Sequence, residues 1–261
     1  MDASVISEET TSIRRKTMPK YKMIEWTDST IGKFWAFSSQ RPEEYFTFAY
    51  GHSIVQKLAA YLKPETRILD YGCGIGCLIQ HLLRNEMSVF GTDYSDESVR
   101  VTNDKYKGMK QFGGAFLVEH LLEKNERFNV VIAIEVMEHL NDLKLQEFVG
   151  NIKRLLLPRG VLIISTPNEE DLKKLYVFCP HCEMVFHRWQ HVRSWSEQSL
   201  CKYFSSQGFN RVSTFTTNFG LEDYKLSVRV RMLISKILHG WQAMKPPHLV
   251  GIFSPITKCE E

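Results

Sequence analysis

The chain has 261 residues, of which 43% are hydrophobic, and 33 Lys or Arg residues against 30 Asp or Glu residues give a formal net charge of +3. This length suffices for one α/β domain with appendages, whereas so small a charge does not indicate a nucleic-acid surface. Residues 1–20 lack the apolar core of a signal peptide, no apolar run approaches the roughly 18 residues of a membrane span, and six cysteines favour a reducing, cytoplasmic compartment over a disulfide framework.

The polar segment 1–20 is predicted to be a disordered tail, and residues 21–60 are predicted to form a helical cover. This cover is dense in aromatic residues, namely Trp26, Phe34, Trp35, Phe37, Tyr45, Phe46, Phe48 and Tyr50. These side chains either close over a ligand cleft or pack as an N-terminal layer on a sheet. Both interpretations stay open at this point.

Strands and helices are predicted to alternate through a domain at 61–255. Strands are expected at 67–71, 88–93, 114–118, 128–134 and 160–165, and helices near 76–86, 95–106, 141–157 and 196–208. Residues 130–134 are continuously apolar, as in a strand buried on both faces. This alternation predicts an α/β fold with a doubly wound, mainly parallel sheet. Residues 211–215 and 248–253 are expected to close it as a strand pair, with a helical insertion at 221–243 between them.

The first predicted strand runs into a glycine-rich turn, Asp70-Tyr71-Gly72-Cys73-Gly74-Ile75-Gly76. Such a turn lets the backbone approach a ligand closely. The pyrophosphate-binding fingerprint has its third glycine one position later, where this chain has Cys77. The carboxylate of Asp70 would repel a phosphate but could pair with an ammonium group. These two departures favour a cationic ligand without phosphate, such as S-adenosylmethionine.

The second predicted strand ends at Asp93. An acid at this place in a βαβ unit can accept hydrogen bonds from both ribose hydroxyls, and Tyr94 would then lie beside the adenine. The alternative is that Asp93 only caps the next helix, since Ser95-Asp96-Glu97 is typical of a helix start.

With these residues the chain resembles the class I S-adenosylmethionine-dependent methyltransferases over roughly residues 60–255. The resemblance implies a seven-stranded sheet whose last strand is antiparallel. It also implies that Asp70 and the glycine loop hold the methionine part of the cofactor, that Asp93 holds the ribose, and that Glu119 or His120 lies near the adenine. The acid after the fourth strand, Glu135, is a further candidate on the cofactor side. The resemblance does not indicate the methyl acceptor.

The segment Glu135-Val136-Met137-Glu138-His139 follows the fourth strand at the sheet edge where such folds bind ligands. In a helical turn, residues 135, 138 and 139 would share one face, as a metal site or as a general base with its orienting group. Glu138 and His139 are therefore the candidate catalytic residues. The alternative for His139 is a hydrogen-bonded histidine that caps the strand end.

Similar E-x-x-E-H segments occur in the ubiquinone-pathway O-methyltransferases and in the small-RNA 2′-O-methyltransferases. This similarity implies a metal held by Glu135, Glu138 and His139, completed by a histidine after the fifth strand, for which His191 is the candidate. With carboxylate and imidazole ligands, Mg²⁺, Mn²⁺ and Zn²⁺ are all possible.

A second cluster, Cys179-Pro180-His181-Cys182 followed by His187 and His191, lies in a predicted insertion at 169–195. Its C-x₂-C-x₄-H-x₃-H spacing is compatible with a closed tetrahedral zinc site, and the ubiquinone-pathway resemblance does not supply these cysteines. Because His191 cannot serve two metals, we favour a zinc clip of Cys179, Cys182 and His187 with another ligand. The alternative is that the histidines serve the Glu135, Glu138 and His139 site while the cysteines only pack.

Trp189, Trp195 and Arg188 are predicted either to form a wall for an aromatic or quinone-like acceptor or to pack the insertion onto the helix at 196–208. The leading hypothesis is O-methylation of a small molecule. The alternatives are RNA terminal 2′-O-methylation, for which the cationic segment 225–236 is the one indication, and an S-adenosylmethionine-binding protein without catalysis. The loop spacing disfavours an NAD-dependent oxidoreductase.

Overall fold

A computed structural model describes residues 21–221 and 245–256. The tail predicted at 1–20 and residues 222–243 of the predicted helical insertion lie outside the described residues. None of the helices described in these two ranges is long and apolar enough to cross a membrane.

The first elements are a two-residue strand, two helices and the 3₁₀ turn Pro42–Glu44 between the helices, with the bounds β1 (Lys22–Met23), α1 (Asp28–Ser38) and α2 (Phe46–Lys57). The central part alternates strands with helices: β2 (Arg67–Tyr71), α3 (Cys77–Leu83), β3 (Ser88–Thr92), α4 (Asp96–Tyr106), β4 (Phe112–Phe116), α5 (Val118–Glu123), β5 (Phe128–Ile134), α6 (Asp142–Leu155) and β6 (Leu156–Pro167). A hairpin, a helix and two closing strands complete the order: β7 (Tyr176–Cys179), β8 (Met184–His187), α7 (Glu197–Ser206), β9 (Phe209–Thr217) and β10 (His248–Pro255).

The main sheet has seven strands in the order β4-β3-β2-β5-β6-β10-β9. The strands from β2 to β6 pair in parallel, and β10 pairs antiparallel with both β6 and β9. The predicted doubly wound sheet with an antiparallel last strand is therefore confirmed.

The sheet is covered on both faces, which explains the continuously apolar strand β5. Val130, Ile132 and Ile134 belong to the core that packs under α2 and α3. Val131 and Ala133 belong to the opposite core, under α6 and α7. Because side chains alternate along a strand, only a strand buried on both faces is apolar at every position.

Several element bounds differ from those predicted, among them the start of β4 and both ends of β6, which spans Leu156–Pro167 rather than 160–165. Strand β4 begins at Phe112 rather than residue 114, because a side chain at Gly113 would lie within 2.1 Å of the Phe90 ring and only glycine lets the two strands pair here. Helix α5 follows β4 immediately and was not predicted. A six-residue helix is too short to show a clear apolar period.

The insertion after β6 forms a small sheet of its own. Strands β7 and β8 pair antiparallel, and β8 pairs in parallel with β1 in the order β1-β8-β7. The register places Cys179 opposite Met184 at the turn and Tyr176 opposite His187 at the other end of the hairpin. The insertion is therefore joined to the N-terminal cover by backbone hydrogen bonds.

Candidate active site

A continuous cavity of about 1170 Å³ lies at the carboxyl edge of β2, β3 and β5. It runs from the glycine loop, under α1 and α2, to the insertion around Trp189 and His191. Ligand pockets usually measure roughly 300–1,000 Å³, so the cavity has room for a cofactor and an acceptor together. This edge is where open α/β sheets bind ligands.

The glycine loop forms one end of the cavity. Gly72 and Gly74 line it with φ of +79° and +52°, a backbone conformation that side chains disfavour. A Cβ atom at Gly74 would lie 2.7 Å from the Tyr45 ring, and one at Gly72 would lie 2.7 Å from Val136. The predicted close approach of backbone and ligand is thus available at these two glycines.

Gly76 has a different position from the other two loop glycines. It does not line the cavity; it is the left-handed residue that begins α3, with φ of +75°. Its carbonyl accepts a 2.6 Å hydrogen bond from the Tyr106 hydroxyl, and a Cβ atom would meet the Tyr106 ring at 2.6 Å. Gly76 therefore joins the loop to α4 and stays only a predicted cofactor contact.

Asp70 lies beneath the loop with 3% of its surface exposed. Its Oδ2 atom is buried and finds no hydrogen-bond partner within the part of the chain that the structure describes. Burial, followed by repulsion from Asp93, raises the pKa of Asp70 to about 8. An unpartnered buried carboxyl oxygen at the cavity is suited to an incoming cation.

Asp93 holds the loop in place from the end of β3. Its Oδ2 accepts a 2.8 Å hydrogen bond from the Gly74 N–H, and its Oδ1 accepts one of 3.0 Å from the Ser95 N–H. Burial raises the pKa of Asp93, while these backbone donors oppose the rise. The alternative prediction, that Asp93 only caps the next helix, is wrong because Ser95 is the N-cap of α4; Asp93 instead organises the loop and lines the cavity, and its ribose contact stays a prediction.

The side chains expected near the adenine lie on the same stretch of the cavity wall. Tyr94 is 61% exposed, and Glu119 follows β4 at the start of α5. His120, the alternative to Glu119, stacks on Phe116 at 4.8 Å and does not line the cavity.

His139 and His191 line the other end of the cavity, and Glu138 is buried beside them. One ligand atom each from Glu138, His139 and His191 lies within 4.8 Å of the others. The Glu138 carboxylate is fully buried, and both of its oxygens are without a hydrogen-bond partner among the described residues, as is Nδ1 of His139. Burial, followed by repulsion from Glu135, raises the pKa of Glu138 well above its ordinary range.

His139 is suited to metal ligation rather than to proton abstraction. Burial, followed by the neighbouring His191, lowers the pKa of His139 to about 3. A base this weak has little driving force to take a proton from a hydroxyl near neutral pH, whereas a neutral imidazole is a good metal ligand. Glu138 does not line the cavity, so its predicted catalytic role can only act through a neighbour.

Glu135 does not join this cluster, although it lines the cavity. It has φ of +52°, and its Oε1 accepts a 2.7 Å hydrogen bond from Ser165 Oγ and lies 3.5 Å from His248 Nδ1. The three residues 135, 138 and 139 do not share one helical face, because only Met137–His139 turn as a short 3₁₀ helix. The structure thus separates Glu135 from the predicted metal set.

The predicted C-x₂-C-x₄-H-x₃-H zinc site is wrong. Cys179 and Cys182 lie at the turn of the hairpin, while His187 lies at its other end, three strand positions or roughly 10 Å away. His187 and His191 instead cluster with Glu170, an acid that no motif had indicated. The five described cysteines are all free thiols.

Aromatic side chains from the N-terminal cover and the insertion line the cavity: Trp26, Phe34, Trp35, Tyr45, Phe46, Tyr50 and Trp189. Of the predicted aromatic wall, Trp195 is buried in the core against Tyr203, and Arg188 lies on the outer side over the Trp189 ring. Gln190, which sequence reasoning missed, accepts a 3.1 Å hydrogen bond from Trp35 Nε1 and donates one of 3.0 Å to the His139 carbonyl.

Residues 37–214, more than half of the chain, match a protein family described as a methyltransferase domain. The chain belongs to this methyltransferase family.

Curated relatives carry one name in common. A ubiquinone biosynthesis O-methyltransferase of Rhizobium etli (strain ATCC 51251 / DSM 11541 / JCM 21823 / NBRC 15573 / CFN 42) is 34% identical over 104 residues, which are 39% of this chain and 41% of the relative. One of Pelagibacter ubique (strain HTCC1062) is 29% identical over 172 residues, 64% of this chain and 70% of the relative. The match therefore spans about two fifths of the length of the first of these relatives.

Solved methyltransferases share the fold. The complex of DhpI with S-adenosylhomocysteine superposes with a TM-score of 0.58 at 14% identity, over 88% of this chain and 97% of that one. The glycopeptide N-methyltransferase MtfA bound to S-adenosylmethionine has a TM-score of 0.56 at 12% identity, over 80% and 95%. At these identities the likeness shows the fold alone.

Proposed function

We propose that this methyltransferase-family protein transfers the methyl group of S-adenosylmethionine to a hydroxyl of a small aromatic molecule, with a divalent metal at Glu138, His139 and His191. The observation that carries the proposal is one cavity with two different ends. One end offers the unpartnered carboxyl of Asp70 beside the glycine loop, and the other is lined by His139 and His191, with the unpartnered Glu138 carboxylate buried within 4.8 Å of their ligand atoms.

The cofactor end fits a sulfonium amino acid. The Asp70 carboxyl faces the space beside the loop where the ligand ammonium would lie, and ionisation of Asp70 would then be favoured by the new charge. Asp93 keeps Gly74 in position and offers its carboxylate edge to the ribose. Tyr94 and Glu119 would flank the adenine.

The acceptor end supports an aromatic hydroxyl compound. The rings of Trp35, Phe46 and Trp189 provide an apolar wall, and a flat acceptor would bury large apolar area against them. The first curated relatives, named ubiquinone biosynthesis O-methyltransferases, support an acceptor of this class.

The buried cluster of Glu138, His139 and His191 fits a divalent metal, because two orphaned carboxylate oxygens and an orphaned imidazole nitrogen would otherwise stay unsatisfied. A bound metal would lower the pKa of the acceptor hydroxyl and orient its oxygen. The protein itself holds the three ligands from two elements, the turn after β5 and the loop after β8. The Trp35 ring meets the His139 ring edge-on at 5.0 Å, and Trp189 lines the adjoining space.

The charge of the cavity does not favour RNA as the acceptor. Lys144 is the one Lys or Arg among its described lining residues, and they include nine acids: Asp28, Glu43, Glu44, Asp70, Asp93, Asp96, Glu119, Glu135 and Glu147. Phosphate recognition needs the opposite charge. The cationic segment 225–236 lies outside the described residues, and the cytoplasmic location stays a prediction.

The test is methyl transfer from radiolabelled S-adenosylmethionine to a panel of catechols, simple phenols, aliphatic alcohols and a short RNA, with added Mg²⁺ or Mn²⁺ and with a chelator. We expect turnover on catechols or phenols that falls at least tenfold with the chelator. Equal turnover with chelator and metal would remove the metal from the proposal. Binding of S-adenosylmethionine without turnover on any acceptor would favour a non-catalytic binding protein.

A further inference from the structure

Glu170 joins two imidazoles behind the acceptor end of the cavity. Its Oε2 lies 2.6 Å from Nδ1 of His191, and its Oε1 lies 3.5 Å from Nε2 of His187. The exposed fractions of the side chains are 14% for Glu170, 10% for His191 and 1% for His187. These contacts are therefore shielded from competing water, and their geometry determines which ring nitrogens carry protons.

The backbone fixes the proton of His187. The N–H groups of Trp189 and His191 both donate to its Nδ1, at 3.3 and 3.1 Å. Two donors require a lone pair at Nδ1, so the neutral ring carries its proton on Nε2, which lies 3.5 Å from Glu170 Oε1 without forming a hydrogen bond. His187 then offers no lone pair to a metal, although Glu170, His187 and His191 are close enough to surround one.

The same reasoning determines the proton of His191. Its Nδ1 lies at hydrogen-bond distance from a carboxylate, which can only accept, so the proton is on Nδ1 and the lone pair is on Nε2. His191 lines the cavity, and its ring centroid lies 4.8 Å from that of His139. A lone pair on Nε2 is what a third metal ligand beside Glu138 and His139 requires.

We propose that Glu170 is a positioning residue that holds His191 in the tautomer needed to complete the metal site, with the buried His187 ring packed beside the carboxylate. This inference rests on the metal-assisted function proposed above. A carboxylate that accepts from the non-ligating nitrogen of a metal-binding histidine fixes the ring and strengthens its basicity, and loss of such a partner typically weakens metal affinity by roughly 10–100-fold. The cluster of Glu170, His187 and His191 thus supports the proposed metal site of Glu138, His139 and His191.

The test is Glu170→Gln, with Glu169→Gln as the matched control because Glu169 pairs with Lys245 at the surface. The amide that replaces the Glu170 carboxylate is neutral and offers a single oxygen acceptor, so it accepts from His191 without the charge of the carboxylate. Mn²⁺ is the probe, since it has little affinity for the free thiols of Cys179 and Cys182. Calorimetric titration should give a dissociation constant roughly 10–100-fold higher for Glu170→Gln and unchanged for Glu169→Gln, with equal S-adenosylhomocysteine affinity in all three proteins.

A nitrogen-15 spectrum of the metal-free wild-type protein tests the inference without any variant. We expect His191 to carry its proton on Nδ1, and a proton on Nε2 would overturn the assignment. If the wild type and Glu170→Gln bind Mn²⁺ with equal affinity, the positioning role of Glu170 alone is overturned. Absence of Mn²⁺ binding to the wild type would overturn this inference and the metal of the proposed function together, while leaving methyl transfer to be judged by the acceptor panel.

Discussion

At the scale of single residues, a bound cation should change the protonation of Asp70. With a pKa of about 8 it carries a proton at neutral pH while the cavity holds no cation, because burial disfavours its charge. A ligand ammonium beside Oδ2 would reverse that preference. Binding below pH 8 should therefore release a proton from Asp70, and this release makes the affinity depend on pH.

We expect S-adenosylmethionine affinity to rise roughly tenfold between about pH 6 and pH 7, where the ligand ammonium stays mostly charged. The sign follows because fewer Asp70 carboxyls need to lose a proton as the pH approaches the Asp70 pKa of about 8. Asp70→Asn should bind more weakly and show no such rise in calorimetric titrations. 5′-Methylthioadenosine, which lacks the ammonium, should bind the wild type independently of pH. A rise that persists in Asp70→Asn would refute the assignment.

Gly74 combines a positive φ with a crowded approach to Tyr45. Gly74→Ala should weaken S-adenosylmethionine binding at least tenfold, because the methyl group fills the approach space and strains a φ of +52° by about 1–2 kcal/mol. Gly150→Ala is the matched control, since Gly150 lies in α6 with nothing near its added methyl group. Unchanged calorimetric affinity in Gly74→Ala would contradict the role of the loop.

At the scale of elements, the Trp35 indole is one of the contacts that join the N-terminal cover to the site. Trp35 of α1 donates to Gln190, which in turn donates to the His139 carbonyl, and the Trp35 ring meets the His139 ring edge-on at 5.0 Å. Gln190 is 1% exposed, so its amide oxygen has no access to water if this donor is lost. The aromatic segment thus lines the cleft and packs the layer at once, and the two sequence interpretations are not exclusive.

Trp35→Phe should lower the free energy of unfolding by about 1–3 kcal/mol, because it leaves the Gln190 oxygen buried without a donor. Trp26→Phe removes the same indole group from a residue that packs edge-on against the rings of Phe34 and Phe186, so it is the control for lost volume. Urea unfolding monitored by circular dichroism measures both. Equal losses in the two variants would show that the Trp35 hydrogen bond adds nothing.

The elements that sequence predicted well are those whose signal is local. The strand Arg67–Tyr71, the glycine turn and Asp93 each follow from a few adjacent residues, and β5 follows from an unbroken apolar run. The pairing of β8 with β1 joins residues 22 and 184 and leaves no mark in either segment alone. For the same reason the C-x₂-C-x₄-H-x₃-H spacing was misread: a hairpin register, which spacing does not reveal, places His187 far from both thiols.

The candidate metal ligands were predicted only in part, because some of their positions depend on contacts that the local sequence does not show. Glu138, His139 and His191 meet because the chain turns at the end of β5 and returns after β8, in keeping with the ligand edge of the sheet. Glu135 was included on the assumption of a helical turn, whereas its positive φ directs it to Ser165 and His248. Glu170 carries no spacing signal, since it acts through contacts with two histidines far along the chain.

For the molecule as a whole, the buried Glu138 carboxyl opposes folding near neutral pH. The pKa of Glu138 is higher in the folded protein than its ordinary value of 4.5. The protonated carboxyl is therefore tolerated in the fold below about pH 4.5, and this contribution to the free energy of unfolding is lost as the pH rises through the folded-state pKa. Near neutral pH the Glu138 carboxyl is charged and hydrated in the unfolded chain, whereas in the folded protein it must either bury its charge or keep its proton. A bound metal would remove this opposition.

Glu138→Gln should therefore have two opposite effects at about pH 7.5. Without metal the variant should melt at a higher temperature than the wild type, because no buried charge remains, and the difference should vanish near about pH 4. With Mn²⁺ at about 100 times its dissociation constant, the wild type should gain about 2.7 kcal/mol, or roughly 5–10 °C in Tm, and Glu138→Gln should gain almost nothing. Calorimetric melting of both proteins with and without Mn²⁺ measures all four values. A Mn²⁺-dependent rise of equal size in the variant would show that the ion stabilises the protein elsewhere and that Glu138 is not its ligand.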